Sequence, residues 1–365
     1  MDDLRILADD LSGALDTAVC FSGGHKALLV TRSSPVDGVF GCSSGARDLA
    51  AEAAAKVFVQ SLPWLLSVGH PFHKLDSRLR GYAAHEIAAV RRAAPDRPIV
   101  VAPALPVQQR IMRSGRLYSR DSAAMAWALE PADISRQLAA LGETVELCSS
   151  ACAAVPEGIS LWDAEIDADL DRIAAAALAR PGAILCGSSG LAAALARALG
   201  ISQPPRIADF TPPMLLIAGT AHPQTLRQVA RVSSRAAGIH RPVATDAATF
   251  ADVAMALADG RSQLITPRLP AGLEAEAIAA AIALWIGRAV HELPRPGSLF
   301  VTGGETLDVL TQALGAKGLL VEGQVAAGVP ASRFLGGVWD GLPVISKSGG
   351  FGAVDLLVQL VIDEV

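Results

Sequence analysis

Charged residues gather where short aliphatic runs stop. "LRILADDLSGALDTA" places Asp9 and Asp10 directly after an apolar run, with Ser12 and Gly13 opening a helical pattern and Asp16 beyond. A helix cap supplied by Asp10 or Ser12 explains one acid at such a position. A paired-carboxylate site explains both: it accepts hydrogen bonds from a polyol, and one member works as a general base. The second cluster, "FHKLDSRLRGYAAHE", ends an aliphatic run at Asp76 and concentrates cationic charge in Lys74, Arg78 and Arg80 around Ser77. An arginine fork there suits a substrate carboxylate; the plainer alternative is a solvated Asp–Arg pair at a helix start. The third, "VAPALPVQQRIMRSGRLY", carries Arg110, Arg113 and Arg116, either a loop that closes over an acid or a basic surface loop.

The second half of the chain carries glycine turns in place of charge. "LFVTGGETLDVL" runs from an aliphatic stretch into Gly303 and Gly304, then Glu305 and Thr306 open a helix. Two glycines there let backbone N–H groups approach an anion, and the helix N-terminus adds partial positive charge. Glu305 either holds a ribose hydroxyl or caps the helix. "VISKSGGFGAVDLL" repeats the pattern with Lys347, Ser348, Gly349 and Gly350, and a lysine beside a glycine pair suits phosphate oxygens. A third turn, "LLIAGTAHPQTLRQ", has Gly219, Thr220 and His222 at its mouth, with His222 read as a cap or surface residue. None of the three is a standard dinucleotide or P-loop fingerprint. "VFGCSSGARD" contains G-x-S-x-G at Gly41–Gly45. The pattern fits a nucleophile elbow, but no histidine is placed as its base, and a Gly/Ser turn explains it more simply.

The elements that must position these residues alternate. Aliphatic runs at 5–8, 27–31, 38–41, 72–75, 99–102, 160–162 and 184–186 predict strands; 47–66, 82–94, 168–179 and 191–199 predict helices. "ISQPPRIADFTPP" then reads as a linker, after which strands at 214–218, 263–266, 299–302 and 343–346 alternate with helices at 223–237, 274–292, 305–314 and 354–364. The expectation is two tandem α/β domains with mostly parallel sheets, residues 1–203 and 214–365 joined at about 204–213. Ligands in such sheets sit beyond the carboxyl ends of the strands, where each cluster above falls.

Composition narrows the class. The 365 residues are 51% hydrophobic and 18% charged with a formal net charge of -5, which fits a globular protein and argues against a nucleic-acid binder. Only Lys26, Lys56, Lys74, Lys317 and Lys347 are lysines. The five cysteines, Cys20, Cys42, Cys148, Cys152 and Cys186, show no zinc spacing and read as thiols of a reducing compartment. With no signal peptide and no run of spanning length, a cytoplasmic protein without membrane partners is expected.

The motifs "ADDLSGALDTA", "HKLDSRLRG", "APALPVQQR", "TGGETLDVL" and "GLPVISKSGGFG" resemble, in order and spacing, those of the four-carbon acid sugar kinase family. The resemblance covers nearly the whole chain and implies an N-terminal domain for the sugar acid and a C-terminal domain for ATP, with an inter-domain active-site cleft. It implies Mg²⁺-assisted phosphorylation of a terminal hydroxyl on a tetronate or 3-oxo-tetronate. Its nucleotide residues would be Gly303, Gly304, Glu305, Thr306, Gly349 and Gly350, with Lys347 a candidate for screening charge. Its sugar-acid residues would be Asp9, Asp10, Lys74, Asp76, Ser77, Arg80 and Arg110, with Asp10 or Asp76 as base and Arg80 and Arg110 gripping the carboxylate. Ser12 and Arg78 stand where the family has threonine, Gln109 where it has glycine, and "AGTAHPQT" lacks serines of the family turn. The middle region is also shorter. A kinase of a longer or branched sugar acid, or a sugar-acid-binding protein without catalysis, are the alternatives, and a homo-oligomer is left open.

Overall fold

A computed structural model describes residues 3–24, 27–32, 38–120, 126–236, 238–244, 247–268 and 275–361. Lys26, Glu274 and the last residues of the expected closing helix, 362–364, lie outside them. The chain divides into two compact units, Met1–Pro204 and Pro205–Val365.

The first unit holds β1 (Leu4–Ala8), β2 (Leu28–Arg32), β3 (Gly41–Ser43), β4 (His70–Lys74), β5 (Ile99–Ala102), β6 (Arg110–Arg113), β7 (Arg116–Ser119), β8 (Ala128–Leu129), β9 (Val145–Cys148), β10 (Ile159–Trp162) and β11 (Ile184–Gly187). Its helices are α1 (Leu11–Ala18), α2 (Ala51–Leu65), α3 (Ala83–Ala93), α4 (Ile134–Ala140), α5 (Asp167–Ala179) and α6 (Ser189–Ala198). The main sheet runs β2-β3-β1-β4-β11-β5-β10-β9, parallel at every pairing. Strands covered on both faces read as continuous apolar runs, and β5 is buried at every position. After β1 the chain builds β2 and β3 on one side, then crosses to β4 on the other. The β1/β4 border is therefore a topological switch point, where a crevice opens at the carboxyl ends. Over it lies α1, buried along its whole length because its glycine, alanines and serine bring the backbone close to the sheet.

The second unit holds β12 (Met214–Ala218), β13 (His240–Val243), β14 (Gln263–Pro267), β15 (Ser298–Thr302), β16 (Gly318–Ala326), β17 (Val329–Leu335) and β18 (Pro343–Lys347). Its helices are α7 (Pro223–Arg235), α8 (Ala247–Ala258), α9 (Ala275–Glu292), α10 (Gly304–Ala313) and α11 (Leu356–Val361). Its sheet runs β13-β14-β12-β15-β18-β17-β16, parallel as far as β18 and antiparallel thereafter. Met214, Leu216, Phe300, Ile345, Val232 and Leu357 form one core under α7 and α11. The chain leaves β12 for β13 and β14, then crosses to β15, which makes β12/β15 the switch point here.

Several expected elements shift. The strand expected at 38–41 forms at Gly41–Ser43, and the helix expected from 47 begins at Ala51. Both shifts have one cause: residues 44–50 are taken up in a turn that holds Arg47 inward. The antiparallel β6-β7-β8 sheet, β9, β13, α4 and α8 were not expected; their runs are short or their periodicity is blurred by alanine. The expected linker is partly structure of the second unit. Ile207 N–H donates to Gln324 O, Ser298 Oγ donates to Thr211 O, and Gly297 N–H donates to Pro213 O. Prolines cannot donate, so their carbonyls serve as acceptors along the edge. No described helix is long and apolar enough to cross a membrane.

Candidate functional site

At the first switch point, β1 delivers Asp9 and Asp10, β3 delivers Arg47 and β4 delivers Lys74, Asp76 and Ser77. Asp10 is the N-cap of α1: its Oδ1 accepts Gly13 N–H at 2.9 Å and its Oδ2 accepts Ser12 Oγ at 2.7 Å. Asp9 is spared for a different partner. Arg47 grips it with two parallel hydrogen bonds, Nε to Oδ2 at 2.8 Å and Nη2 to Oδ1 at 2.6 Å. The same guanidinium reaches Asp10 Oδ2 at 2.5 Å through Nη1 and lies 3.6 Å from Asp76 Oδ2. One arginine thus ties three aspartates together.

Asp76 organises its own loop. Its Oδ1 accepts the backbone N–H groups of Arg78 and Arg80, and Arg80 returns a bidentate pair at 3.0 and 2.7 Å. Burial opposes ionisation, but the Arg80 hydrogen bonds and the charges of Arg47 and Arg80 hold this carboxyl well below the usual carboxylate range. Asp9 differs. Burial, only partly offset by Arg47 and reinforced by Asp10 and Glu86, pushes it up to about 7. Glu86 is itself buried against His73, with Oε2 3.1 Å from Nε2. Asp16 faces inward from α1; burial raises its pKa against the opposing charge of Lys74. Lys74 is buried and donates to Leu75 O at 2.9 Å.

Arg110 enters from β6 and donates to Ser77 Oγ. Burial lowers its pKa against the charge of Asp76. Arg78, in contrast, is held by the buried Glu130 of the small sheet, at 3.0 Å from Nε and 2.9 Å from Nη2. Arg113 and Arg116 turn to Glu165 and Asp133, so this part of the cationic loop faces away from the aspartates. The structure therefore assembles Asp9, Asp10, Lys74, Asp76, Ser77, Arg80 and Arg110 in one place.

Sequence reasoning missed Arg47. It lies in the same "VFGCSSGARD" turn that resembles a nucleophile elbow, just past a strand end, and that position was the available signal. Ser43 Oγ accepts Gly45 N–H at 3.2 Å and Ser44 Oγ donates to Ala8 O at 3.2 Å. The serines shape the turn, and its product is the arginine.

The second switch point gathers the three glycine turns. Gly219, after β12, lies so close to α10 that a Cβ on it would stand 2.1 Å from Thr306 Oγ1. Gly303 caps α10 at a φ of +108°, a conformation that L side chains rarely adopt, and its N–H donates to Lys347 O at 3.1 Å. Thr306 is buried, whereas Glu305 is exposed in the first turn of α10. The turn after β18 is fastened to α7: Gly349 O accepts Thr225 Oγ1 at 2.8 Å, and Gln228 Nε2 donates to Ala353 O at 2.8 Å. His222 is the N-cap of α7 through its ring nitrogen, at 3.1 Å from Gln224 N.

Lys347, the lysine of this turn, faces into the protein. Its side chain is buried and its ammonium donates to Thr225 Oγ1 at 3.0 Å, Gly349 O at 3.2 Å and Ser348 O at 3.3 Å. All three N–H groups are spent on protein oxygens, which does not support a direct phosphate contact. Burial pushes its pKa down to about 7. What the three turns present outward is backbone N–H and hydroxyl groups at the end of a parallel sheet, suited to a polyanionic tail. Among the described residues no group of three or more His, Cys, Asp or Glu side chains is placed to hold a metal ion.

Two family matches divide the chain as the two sites do. Residues 4–136 match the sugar-binding N-terminal domain family and residues 215–357 the nucleotide-binding C-terminal domain family. A D-threonate kinase of Bordetella bronchiseptica is 33% identical, the alignment covering 98% of this chain and 96% of that protein. A D-threonate kinase of Salmonella typhimurium is 27% identical over 95% of each chain. A 3-oxo-tetronate kinase of Methylobacterium radiotolerans is 26% identical over 96% of this chain and 97% of its own. Among solved structures, a Salmonella typhimurium LT2 protein described as a tRNA synthase superposes with a TM-score of 0.73 at 20% identity over 100% of both chains. A Haemophilus influenzae protein does so at 0.70 and 19% over 98% of both. At such identities the structural likeness speaks to the fold alone. The full-length likeness to the Bordetella kinase, with its motifs in order, shows that the chain belongs to the four-carbon acid sugar kinase family.

Proposed function

We propose that the protein is an ATP-dependent kinase that phosphorylates a terminal hydroxyl of a four-carbon acid sugar, a tetronate or its 3-oxo form. The observation that carries this reading is the pairing of unlike sites at equivalent points of two α/β units. One unit offers an acid–arginine cluster sized for a small polyhydroxylated acid. The other offers glycine turns built for phosphates.

In the first unit Lys74 and Arg110 take the substrate carboxylate: the buried Lys74 ammonium rests on the Leu75 carbonyl, and the half-buried Arg110 donates to Ser77 Oγ beside Asp76. Arg80 supports them through Asp76. Asp10 is the base that accepts the proton of the attacking hydroxyl. Asp76 is ill-suited to that task, because a carboxylate held well below its usual range has little proton affinity. Arg47 shields Asp9, Asp10 and Asp76 from one another until hydroxyl groups of the acid share them. In the second unit the N–H groups of Gly304, Gly349 and Gly350 hold the donor phosphates, with Thr306 and Thr220 shaping the mouth and Glu305 placed for the ribose. Magnesium, when bound with the nucleotide, would supply neutralising charge to the phosphates; Asp9, Asp10 and Asp76 are already paired with Arg47 and Arg80.

The test is ADP release from ATP and Mg²⁺ with D- and L-threonate, D- and L-erythronate and their 3-oxo forms. Turnover with one of these acids, well above that with five- and six-carbon acids, is expected. Saturable acid binding with no ATP turnover on any acid would overturn the kinase reading in favour of a binding protein.

A further inference from the structure

We propose that Lys347 is a positioning residue of the nucleotide site: its ammonium draws the Ser348 and Gly349 carbonyls inward and so aims the Gly349 and Gly350 N–H groups outward at the donor phosphates. The inference rests on the ATP reading above and assigns to a buried side chain the orientation of that site.

The argument is one of peptide geometry. In a planar trans peptide the N–H of one residue points opposite to the C=O of the residue before it. Both carbonyls accept from the same ammonium, Ser348 O at 3.3 Å and Gly349 O at 3.2 Å. The N–H groups of Gly349 and Gly350, on the far side of those two peptides, are therefore directed away from Lys347. Among the described residues neither N–H meets a protein acceptor. Two successive N–H groups turned the same way form a concavity for an anion. Phe351 N–H also donates to Ser348 O at 3.1 Å, which closes the turn behind the two glycines.

The third donor direction fixes the ammonium itself. It meets Thr225 Oγ1 at 3.0 Å, and the same hydroxyl oxygen lies 2.8 Å from Gly349 O. The α7 helix thereby anchors lysine and loop together. Among the described residues no carboxylate pairs with Lys347. A buried cation without a counter-ion is costly, and an anion seated against the loop in front of it supplies the missing charge.

The experiment measures ATP affinity by calorimetry, and kcat and both KM values, for the full-length wild type, Lys347→Met, Thr225→Val and the double variant. Lys347→Met is expected to weaken ATP binding tenfold or more while the KM for the sugar acid stays within twofold. Thr225→Val is expected to weaken ATP binding several-fold, and to add nothing in the Lys347→Met background, since both act through one brace. A side chain that touched the transferring phosphoryl group would show a different pattern: kcat falls, ATP affinity holds and Thr225→Val is silent. That pattern overturns the proposal, as does ATP affinity within twofold of wild type in Lys347→Met, or full additivity in the double variant. If Lys347→Met does not fold, Thr225→Val, which keeps the ammonium, decides: unchanged ATP affinity overturns the proposal. A wild type that binds no ATP fails at the earlier step and removes the nucleotide reading with it.

Discussion

The two units solve the same placement problem with opposite materials. In each, the site lies at the carboxyl ends of two adjacent parallel strands, β1 and β4 in the first unit and β12 and β15 in the second, where the chain reverses its direction of sheet building. The first unit fills that place with charged side chains that neutralise one another: Asp9, Asp10 and Asp76 around Arg47, and Asp76 again with Arg80. The second keeps side-chain charge behind the surface and presents backbone. The contrast follows from the ligands proposed. A small polyol acid is distinguished by where its hydroxyls and carboxylate lie, which demands directional side chains on both signs of charge. A phosphate tail is a dense, nearly featureless anion, for which uncharged N–H groups held in a fixed array suffice.

That contrast can be broken or sharpened by substitution. The largest expected effect is Asp10→Asn, which removes the proposed base: turnover should fall about 10²- to 10⁴-fold while acid binding persists, as measured by ADP release and by titration with the acid. If Asp76→Asn lowers kcat equally with an unchanged KM for the acid, the division of labour between the two carboxylates is wrong. Next, Arg47→Met leaves buried aspartates facing each other. It should destabilise the protein by roughly 3–5 kcal/mol in urea unfolding, with much of that loss recovered in Asp9→Asn/Arg47→Met. No comparable collapse is expected from any single side-chain charge in the second unit.

There the sensitive element is backbone approach. Gly219→Ala places a methyl group where Thr306 Oγ1 stands 2.1 Å away, so the KM for ATP should rise about tenfold while the KM for the acid does not move. Thr306→Ala in the same chain should restore part of it.

The smallest effects are in pH. Asp9 has a raised pKa in the folded protein, so from its unfolded value of 3.8 up to about 7 the folded state binds more protons than the unfolded. Stability should fall as pH rises across that window, and Asp9→Asn should flatten the slope. Lys347 has a lowered pKa, about 7 against 10.5, so there the unfolded state binds more protons. Its contribution to stability should rise from pH 7 towards 10.5, and Lys347→Met should remove the rise. Urea unfolding across both ranges reads the two opposite slopes in one protein.

Much of both sites was legible because strand ends announce themselves. An aliphatic run that stops at a polar residue with a glycine or helix cap beyond it puts that residue at the carboxyl edge of a parallel sheet. Asp9, Asp10, Asp76, Gly303 and Gly349 all stand at such points. Arg47 stands at one too, but its G-x-S-x-G segment reads most simply as a Gly/Ser turn, which gives the arginine no role. Arg78, a departure from the family pattern, is accounted for by Glu130, fifty-two residues away on a short antiparallel sheet that no periodicity revealed. The segment expected as a linker looks unstructured because it is proline-rich, yet its carbonyls accept hydrogen bonds, Pro205 O from Gln324 N–H and Pro213 O from Gly297 N–H.

By itself the sequence determined which residues stand at strand ends, because the alternation of buried strands and helical stretches is a local property of neighbouring side chains. It determined the existence of two α/β units and the sign of charge available in each. Only the tertiary structure decided which strand ends are neighbours, and hence that three aspartates share one arginine. It also decided that the lysine of the glycine loop points into the protein. Both depend on strand order and on the direction of single peptide planes, which arise from contacts between segments far apart in the chain.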